Sequence, residues 1–177
     1  MDSGVALRNA RVGDLSDLSD LARHPTVERA VDAVREFLGM EVAFTTEWID
    51  GHQHFRFLRG DFESFHLQHG MSVPLEMTYC QRVIAGRLPN IIPDARADDR
   101  AASMPVTAAL DVGSFVSVPL RFSDGRLYGT LCAGSHEARP DLGYRELHSL
   151  HVLARLVSDQ LEREPLEADA QEHEIQT

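Results

Sequence analysis

Apolar and polar residues alternate in two runs on either side of Asp124-Gly125, within residues 113–135. An Asp-Gly pair between such runs predicts a β-hairpin whose two turn residues both take positive φ. Successive side chains of a strand point to opposite faces, so Val116, Val118 and Leu120 share one face. The opposite face carries a more polar set, which could form the floor of a binding site: Phe115, Ser117, Pro119, Tyr128, Thr130 and Cys132.

The remaining pattern predicts an α+β domain. A helical stripe runs from Pro25 to Gly39, two strands at residues 40–49 and 52–59 flank Asp50-Gly51, and a helix covers residues 75–85. A short strand at 88–94, small helices at 98–110 and a closing helix at 144–164, ended by Pro165, complete the order. We expect an antiparallel sheet of about five or six strands with segregated helices. The predicted organisation is an N-terminal extension with a helix at 1–24, a domain at 25–164 and an acidic flexible tail at 165–177.

Composition narrows the possible partners and the compartment. The 177-residue chain has a net charge of −11, which disfavours binding to nucleic acid or to an anionic membrane. It has no apolar run long enough to span a bilayer and no secretory signal pattern at its start. Two cysteines are too few for a disulfide framework. The sequence therefore predicts a cytoplasmic protein.

Two signatures, at residues 78–95 and within residues 112–132, resemble a known family. The letters VGSFVSVPL at 112–120 and DGRLYGTLC at 124–132, together with TYCQRVIAGRLPNIIPDA at 78–95, resemble a GAF domain of the PAS-like sensory superfamily over residues 25–164. The segment at 78–95 is similar to GAF domains of actinobacterial signalling proteins that carry diguanylate cyclase or EAL modules. The chain has no GGDEF or EAL signature, so turnover of cyclic di-GMP is not assigned to it.

The resemblance implies a fold and a function. The N- and C-terminal helices should cover one sheet face, and short helices and loops should enclose a ligand pocket on the other. The implied function is a cytoplasmic sensor that binds an unknown small molecule and signals through its terminal helices to a separate output protein. A 3-4-3-4 spacing predicts a homodimer through these helices, with Leu15, Leu18 and Ala22 joining the seam Leu147, Leu150, Ala154, Val157 and Leu161.

The pocket that the resemblance implies would be lined by aromatic side chains, a few polar groups and two thiols. Asp94 is either a ligand-binding carboxylate at the pocket mouth or a turn cap, and His66 could donate a hydrogen bond into the pocket. The candidate ligand-binding residues are Tyr79, Cys80, Asp94, Ser117, Thr130, Phe115, Phe65, His66, Tyr128 and Cys132.

Three functional alternatives follow from the same residues. Cys80 is a buried inert thiol, or else the reactive group of a redox sensor or a methionine-sulfoxide-reductase-like enzyme. GAF-type reductases use an Ala-Cys-Asp element where this chain has Ala109-Leu110-Asp111, and a bilin-binding cysteine is usually followed by histidine rather than Gln81. The four histidines at 52, 54, 66 and 69 match no zinc spacing, so we predict no metal site. The spacing shows no set of nucleophile, base and orienting group, so we predict no catalytic residues. Haem or bilin is only weakly supported. The third alternative is a protein-interaction module without a ligand.

Overall fold

The structure, a computed structural model, describes the backbone of residues 26–175 and the side chains of residues 26–163. The predicted helix with Leu15, Leu18 and Ala22 lies outside this range. The helices are α1 Val27–Leu38, α2 Tyr79–Ile84, α3 Asp99–Ala102, α4 Pro105–Ala109 and α5 Tyr144–Ile175. The strands are β1 Val42–Ile49, β2 His52–Gly60, β3 Ser72–Pro74, β4 Ile91–Ile92, β5 Ser114–Arg121 and β6 Leu127–Ser135. Two 3-10 turns lie at Glu63–Phe65 and Leu75–Met77.

The six strands form one antiparallel sheet in the order β3-β2-β1-β6-β5-β4. The two hairpins therefore meet at the centre, where β1 pairs with β6 from Val42 opposite Gly134 to Glu47 opposite Gly129. This arrangement confirms the predicted α+β class and the predicted strand number. The short edge strand β3 was not predicted from the sequence, and β4 is only two residues long.

One face of the sheet packs against α1 and α5. The side chains of Val31, Val34 and Val157 are fully buried against Val118 and Leu131 of the sheet. α1 is capped at both ends, because the Thr26 hydroxyl accepts the N–H of Arg29 and Gly39 takes the left-handed conformation at φ 63°. The terminal helices thus lie on the face where the resemblance places them.

The α5 residues named in the seam prediction belong to this core. Leu150, Ala154, Val157 and Leu161 are buried in it, and Leu147 packs against it. They are used within the chain, so a dimer would have to pair through other residues. α5 also continues through Pro165 to Ile175, beyond the predicted end. Proline removes one helical hydrogen bond, but the following residues LEADAQEHE are rich in strong helix formers.

The two hairpin turns differ in type. Asp50 and Gly51 both take positive φ, at 50° and 75°, as the Asp-Gly pair predicts. In the second hairpin Gly125 has positive φ and Asp124 does not. There the N–H of Gly125 donates to the Phe122 carbonyl. The loop is therefore a longer turn with glycine at its left-handed position.

A bulge next to this turn corrects one side-chain orientation. Arg121 pairs with Leu127 and Leu120 pairs with Gly129, which leaves Tyr128 as an extra residue in β6. Alternation is interrupted there, and the Tyr128 ring packs 5.3 Å from Phe122 beside the helix-side core. The placement of Tyr128 on the pocket face is therefore wrong.

Gly129 is required by the close approach of β1 at this bulge. A Cβ atom there would lie 1.9 Å from the Thr46 carbonyl oxygen, whereas one at Gly134 would have its nearest neighbour at 3.5 Å. We expect Gly129→Ala to lower the free energy of unfolding by about 2–3 kcal/mol, because backbone must move to admit the methyl group. Urea denaturation followed by circular dichroism measures the change.

Gly134→Ala is the matched control in the same strand. It should change the free energy of unfolding by less than about 1 kcal/mol, since its contacts are of ordinary van der Waals length. Equal stability of the two variants would contradict the account.

Candidate functional site

A cavity of about 400 Å³ lies between the second sheet face and the segments that cover it. This volume falls within the usual range for small-molecule sites. The sheet contributes Phe44, Phe55 and Phe115, and the cover comes from α2, α4 and the loops around them. The remaining apolar lining consists of Val42, Phe65, Leu67, Met71, Val73, Met77, Met104, Pro105, Val106, Ala109, Leu110 and Val112.

Few polar side chains line this cavity. Gln53 is buried, and its carbonyl oxygen accepts the indole N–H of Trp48 at 3.2 Å, so its amide nitrogen is the group that acts as a donor toward the cavity side, with Cys80 as one partner. Glu76 and Arg82 add one negative and one positive charge to the lining. Arg82 is half-buried and forms no ion pair or side-chain hydrogen bond with any residue of the described part of the chain. An unpaired guanidinium beside apolar walls is a ready partner for an anionic group.

A hydroxyl pair ties the cover of the cavity together. The Thr107 hydroxyl donates to the Ala101 carbonyl at 2.5 Å, and it is also hydrogen-bonded to the Tyr79 hydroxyl. A carbonyl oxygen can only accept, so Thr107 uses its proton there and Tyr79 is the donor of the second bond. Burial raises the pKa of Tyr79, which keeps this donor protonated. α2 is thereby joined to α3 and α4.

The two cysteines meet behind the cavity wall. The Sγ atoms of Cys80 and Cys132 are 3.3 Å apart, and both thiols are free. Cys80 lines the cavity, whereas Cys132 is fully buried and contacts the hydroxyls of Ser117 and Thr130 at 3.5 Å and 3.3 Å. Hydrogen bonding from Cys132 lowers the pKa of Cys80, and burial raises the pKa of Cys132 well above its ordinary value.

The structure brings most of the predicted site residues to one place. Tyr79, Cys80, Phe115 and Phe65 line the cavity. Ser117, Thr130 and Cys132 are buried on the same sheet face, with the two hydroxyls against the Cys132 sulfur, and they do not line the cavity themselves.

Three predicted residues lie away from the cavity. Asp94 accepts the backbone N–H groups of Arg96 and Ala97, which is the turn-cap alternative. His66 is exposed at the end of a 3-10 turn, in the left-handed conformation at φ 56°. Tyr128 lies on the helix side because of the β6 bulge.

His136 is a structural residue that the sequence reasoning missed. Its ring stacks on Phe65 at 3.8 Å, its Nδ1 donates to the Asp111 carbonyl at 2.7 Å, and its Nε2 lies 2.9 Å from the Ser64 hydroxyl oxygen. These contacts join residues 25 and 72 positions apart, so no local signal marks them.

The backbone beside the Ser64–His136 contact is already hydrogen-bonded. The N–H groups of Ser64, Phe65 and His66 are all bonded, to Asp61 Oδ1, the Phe62 carbonyl and the Glu63 carbonyl. None of these three is left to stabilise an oxyanion next to the serine. The contact holds the 61–66 loop, and with it Phe65, against the end of β6.

The described residues can be tested for their fit to a metal ion, a haem or a bilin. Within residues 26–163, no group of three or more His, Cys, Asp or Glu side chains could hold a metal ion. The cavity-lining residues include no histidine, and the Cys80 sulfur contacts that of Cys132. These residues do not fit a histidine-ligated haem or a bilin linked through Cys80.

Across the described residues, no helix is both long and apolar enough to cross a membrane.

The chain is similar in sequence to a known protein. The chain is 28% identical over 153 residues to the diguanylate cyclase DgcP of Escherichia coli K12; the match covers 82% of this chain and 43% of that protein. The chain therefore spans less than half the length of this curated relative. The actinobacterial subgroup expected from residues 78–95 stays a prediction.

Solved structures show the same fold at low identity. The GAF domain of an Acinetobacter phosphoenolpyruvate-protein phosphotransferase superposes with a TM-score of 0.66 at 12% identity, over 93% of this chain and 98% of that one. The phycocyanobilin-bound GAF domain of a cyanobacterial phytochrome gives 0.63 at 15% identity, over 91% and 96%. The GAF domain family model matches residues 22–161. This chain belongs to the GAF domain family.

Proposed function

We propose that this chain is a cytoplasmic sensory domain that binds a small molecule in the cavity and signals to an output module through α1 and α5. The observation that carries the proposal is the contrast between the two sheet faces. One is fully packed against the terminal helices, and the other leaves an apolar cavity of about 400 Å³ under short helices. The similarity to a diguanylate cyclase supports an output linked to cyclic di-GMP.

The lining indicates the chemistry of the ligand. Its walls are almost entirely apolar, so binding energy would come mainly from burying apolar surface. Arg82 offers an unpaired positive charge at the lining, where Glu76 is the one negative group, and Gln53 offers an amide donor. We therefore propose an apolar molecule that carries one anionic group, held by Arg82.

The central strands offer a route from ligand to helices. In β1, Phe44 lines the cavity and its neighbour Ala43 packs in the helix-side core. In β6, Cys132 and Leu131 divide in the same way between the two cores. A ligand that displaces Phe44 would shift the strand on which α1 and α5 rest, because the core between that strand and the helices is close-packed.

A homodimer remains part of the proposal, through surfaces other than the predicted seam. Val152 on α5 and Phe37 on α1 are large apolar side chains that are 59% and 52% exposed. They lie on the two helices that would carry the signal. Sedimentation equilibrium of the full chain tests this state, and a monomer at micromolar concentration would rule it out.

Blocking the cavity mouth tests the ligand site. Ala109 lines the cavity and is exposed, whereas its neighbour Ala108 is exposed and does not line it. We expect Ala109→Trp to weaken binding of the fluorescent probe 1-anilinonaphthalene-8-sulfonate at least tenfold, because the indole fills the entrance. Ala108→Trp should bind as the wild type does. If the wild-type protein binds no probe and releases no small molecule on denaturation, the chain is better described as an interaction module without a ligand.

A second comparison isolates the proposed anion contact. Arg82→Gln should reduce affinity for the anionic probe about fivefold, the size of a half-exposed charged contact of about 1 kcal/mol. It should leave affinity for neutral N-phenyl-1-naphthylamine unchanged. Arg87 is the matched control, because it is exposed and does not line the cavity. Equal loss for both probes would show that Arg82 shapes the cavity rather than binding an anion.

A further inference from the structure

We propose that Cys80 and Cys132 form a reversible disulfide when a small hydroperoxide enters the cavity, with Cys80 as the attacking thiol and Cys132 as the resolving one. This modification goes beyond ligand sensing and does not require that a ligand binds. It rests on the placement of two thiols, one at the cavity surface and one directly behind it.

Proximity is the first argument. The two sulfurs belong to α2 and β6, 52 residues apart in sequence, yet they are 3.3 Å apart. A disulfide bond is about 2.05 Å long, so the sulfurs need to approach by a little over 1 Å. α2 is a six-residue helix in the thin cover of the cavity, so it can make this movement more easily than the central strand.

The two thiols also differ in access and in acidity. Both side chains are buried, but Cys80 is 2% exposed and lines the cavity, whereas Cys132 is 0% exposed and contacts Ser117 and Thr130. Hydrogen bonds from Cys132, Thr130, Ser117 and Gln53 lower the pKa of Cys80, because they stabilise its thiolate. Burial holds the pKa of Cys132 high, so it stays protonated and donates to its neighbour. A peroxide in the cavity therefore reaches Cys80 before it can reach Cys132.

The reaction balances with the peroxide as the two-electron oxidant. The Cys80 thiolate attacks one peroxide oxygen, the O–O bond breaks, and the other oxygen leaves and takes up a proton as water or an alcohol. Cys80 is then a sulfenic acid. The Cys132 sulfur attacks the Cys80 sulfur, and the expelled hydroxide leaves as water with the Cys132 proton. Two molecules of a small thiol such as glutathione reverse the bond by exchange: the first forms a mixed disulfide with one cysteine, and the second releases that cysteine and leaves as glutathione disulfide.

The test uses the full chain with hydrogen peroxide as the probe. We expect the wild type to lose two hydrogen masses by intact mass spectrometry, and peptide mapping should find Cys80 joined to Cys132. Dithiothreitol should restore the original mass. Oxidation of the wild type only to sulfinic acid, or only to disulfide-linked dimers, would overturn the proposal.

Two single variants assign the roles. In Cys132→Ser, we expect Cys80 to accumulate as a sulfenic acid that dimedone traps. In Cys80→Ser, Cys132 should remain unmodified at the same peroxide concentration. Equal dimedone labelling of both variants would refute the assignment of roles. Cys132→Ala, with circular dichroism to confirm folding, serves if the serine variant does not fold. Probe affinity measured on the same wild-type samples separates this result from ligand sensing.

Discussion

The structure depends on the central antiparallel pair β1–β6, whose alternating side chains serve two cores at once. Ala43 and Leu131 are buried beneath the terminal helices, while Phe44 and Cys132 are buried on the cavity side. Because the side-chain period of a strand is two residues, a one-residue slip would exchange the two sets. The close approach of β1 at Gly129 also depends on this register. The strands cannot move on one face without disturbing the other.

The cavity follows from the unequal cover of these faces. α1 has 12 residues, and α5 packs side chains from Leu147 to Leu161 in the same core, so each presents several turns of apolar side chains to the sheet. α2, α3 and α4 have 6, 4 and 5 residues, too few to present a continuous apolar ridge. They are held instead by single contacts, such as that between Tyr79 and Thr107. Apolar walls around a gap of this size lose packing contacts, which a bound apolar molecule would restore.

The sequence correctly predicts the features that depend on neighbouring residues, namely which strand face is apolar and where a tight turn lies. The alternation of Val116, Val118 and Leu120 identifies the helix-side face, and Asp50-Gly51 identifies a tight turn. Prediction fails where a bulge interrupts alternation, as at Tyr128, or where one side chain suits two local roles, as at Asp94. The contacts that define the site depend on residues far apart in the sequence rather than on a local pattern. The cysteine pair and the stacking of His136 on Phe65 join distant parts of the chain, and no periodicity encodes them.

The proposed ligand binding and the proposed disulfide both involve Cys80. Cys80 is part of the cavity lining, so an apolar ligand seated there would cover this residue and keep a peroxide out. A disulfide would in turn draw α2 toward β6 and narrow the space above Phe115, whose ring lies 4.9 Å from that of Tyr79 on the same helix. Ligand occupancy and oxidation would therefore oppose each other by linkage, since each favours a different position of α2. Cys132 lies on β6, between β1 and β5, so either event would reach the strands that support the terminal helices.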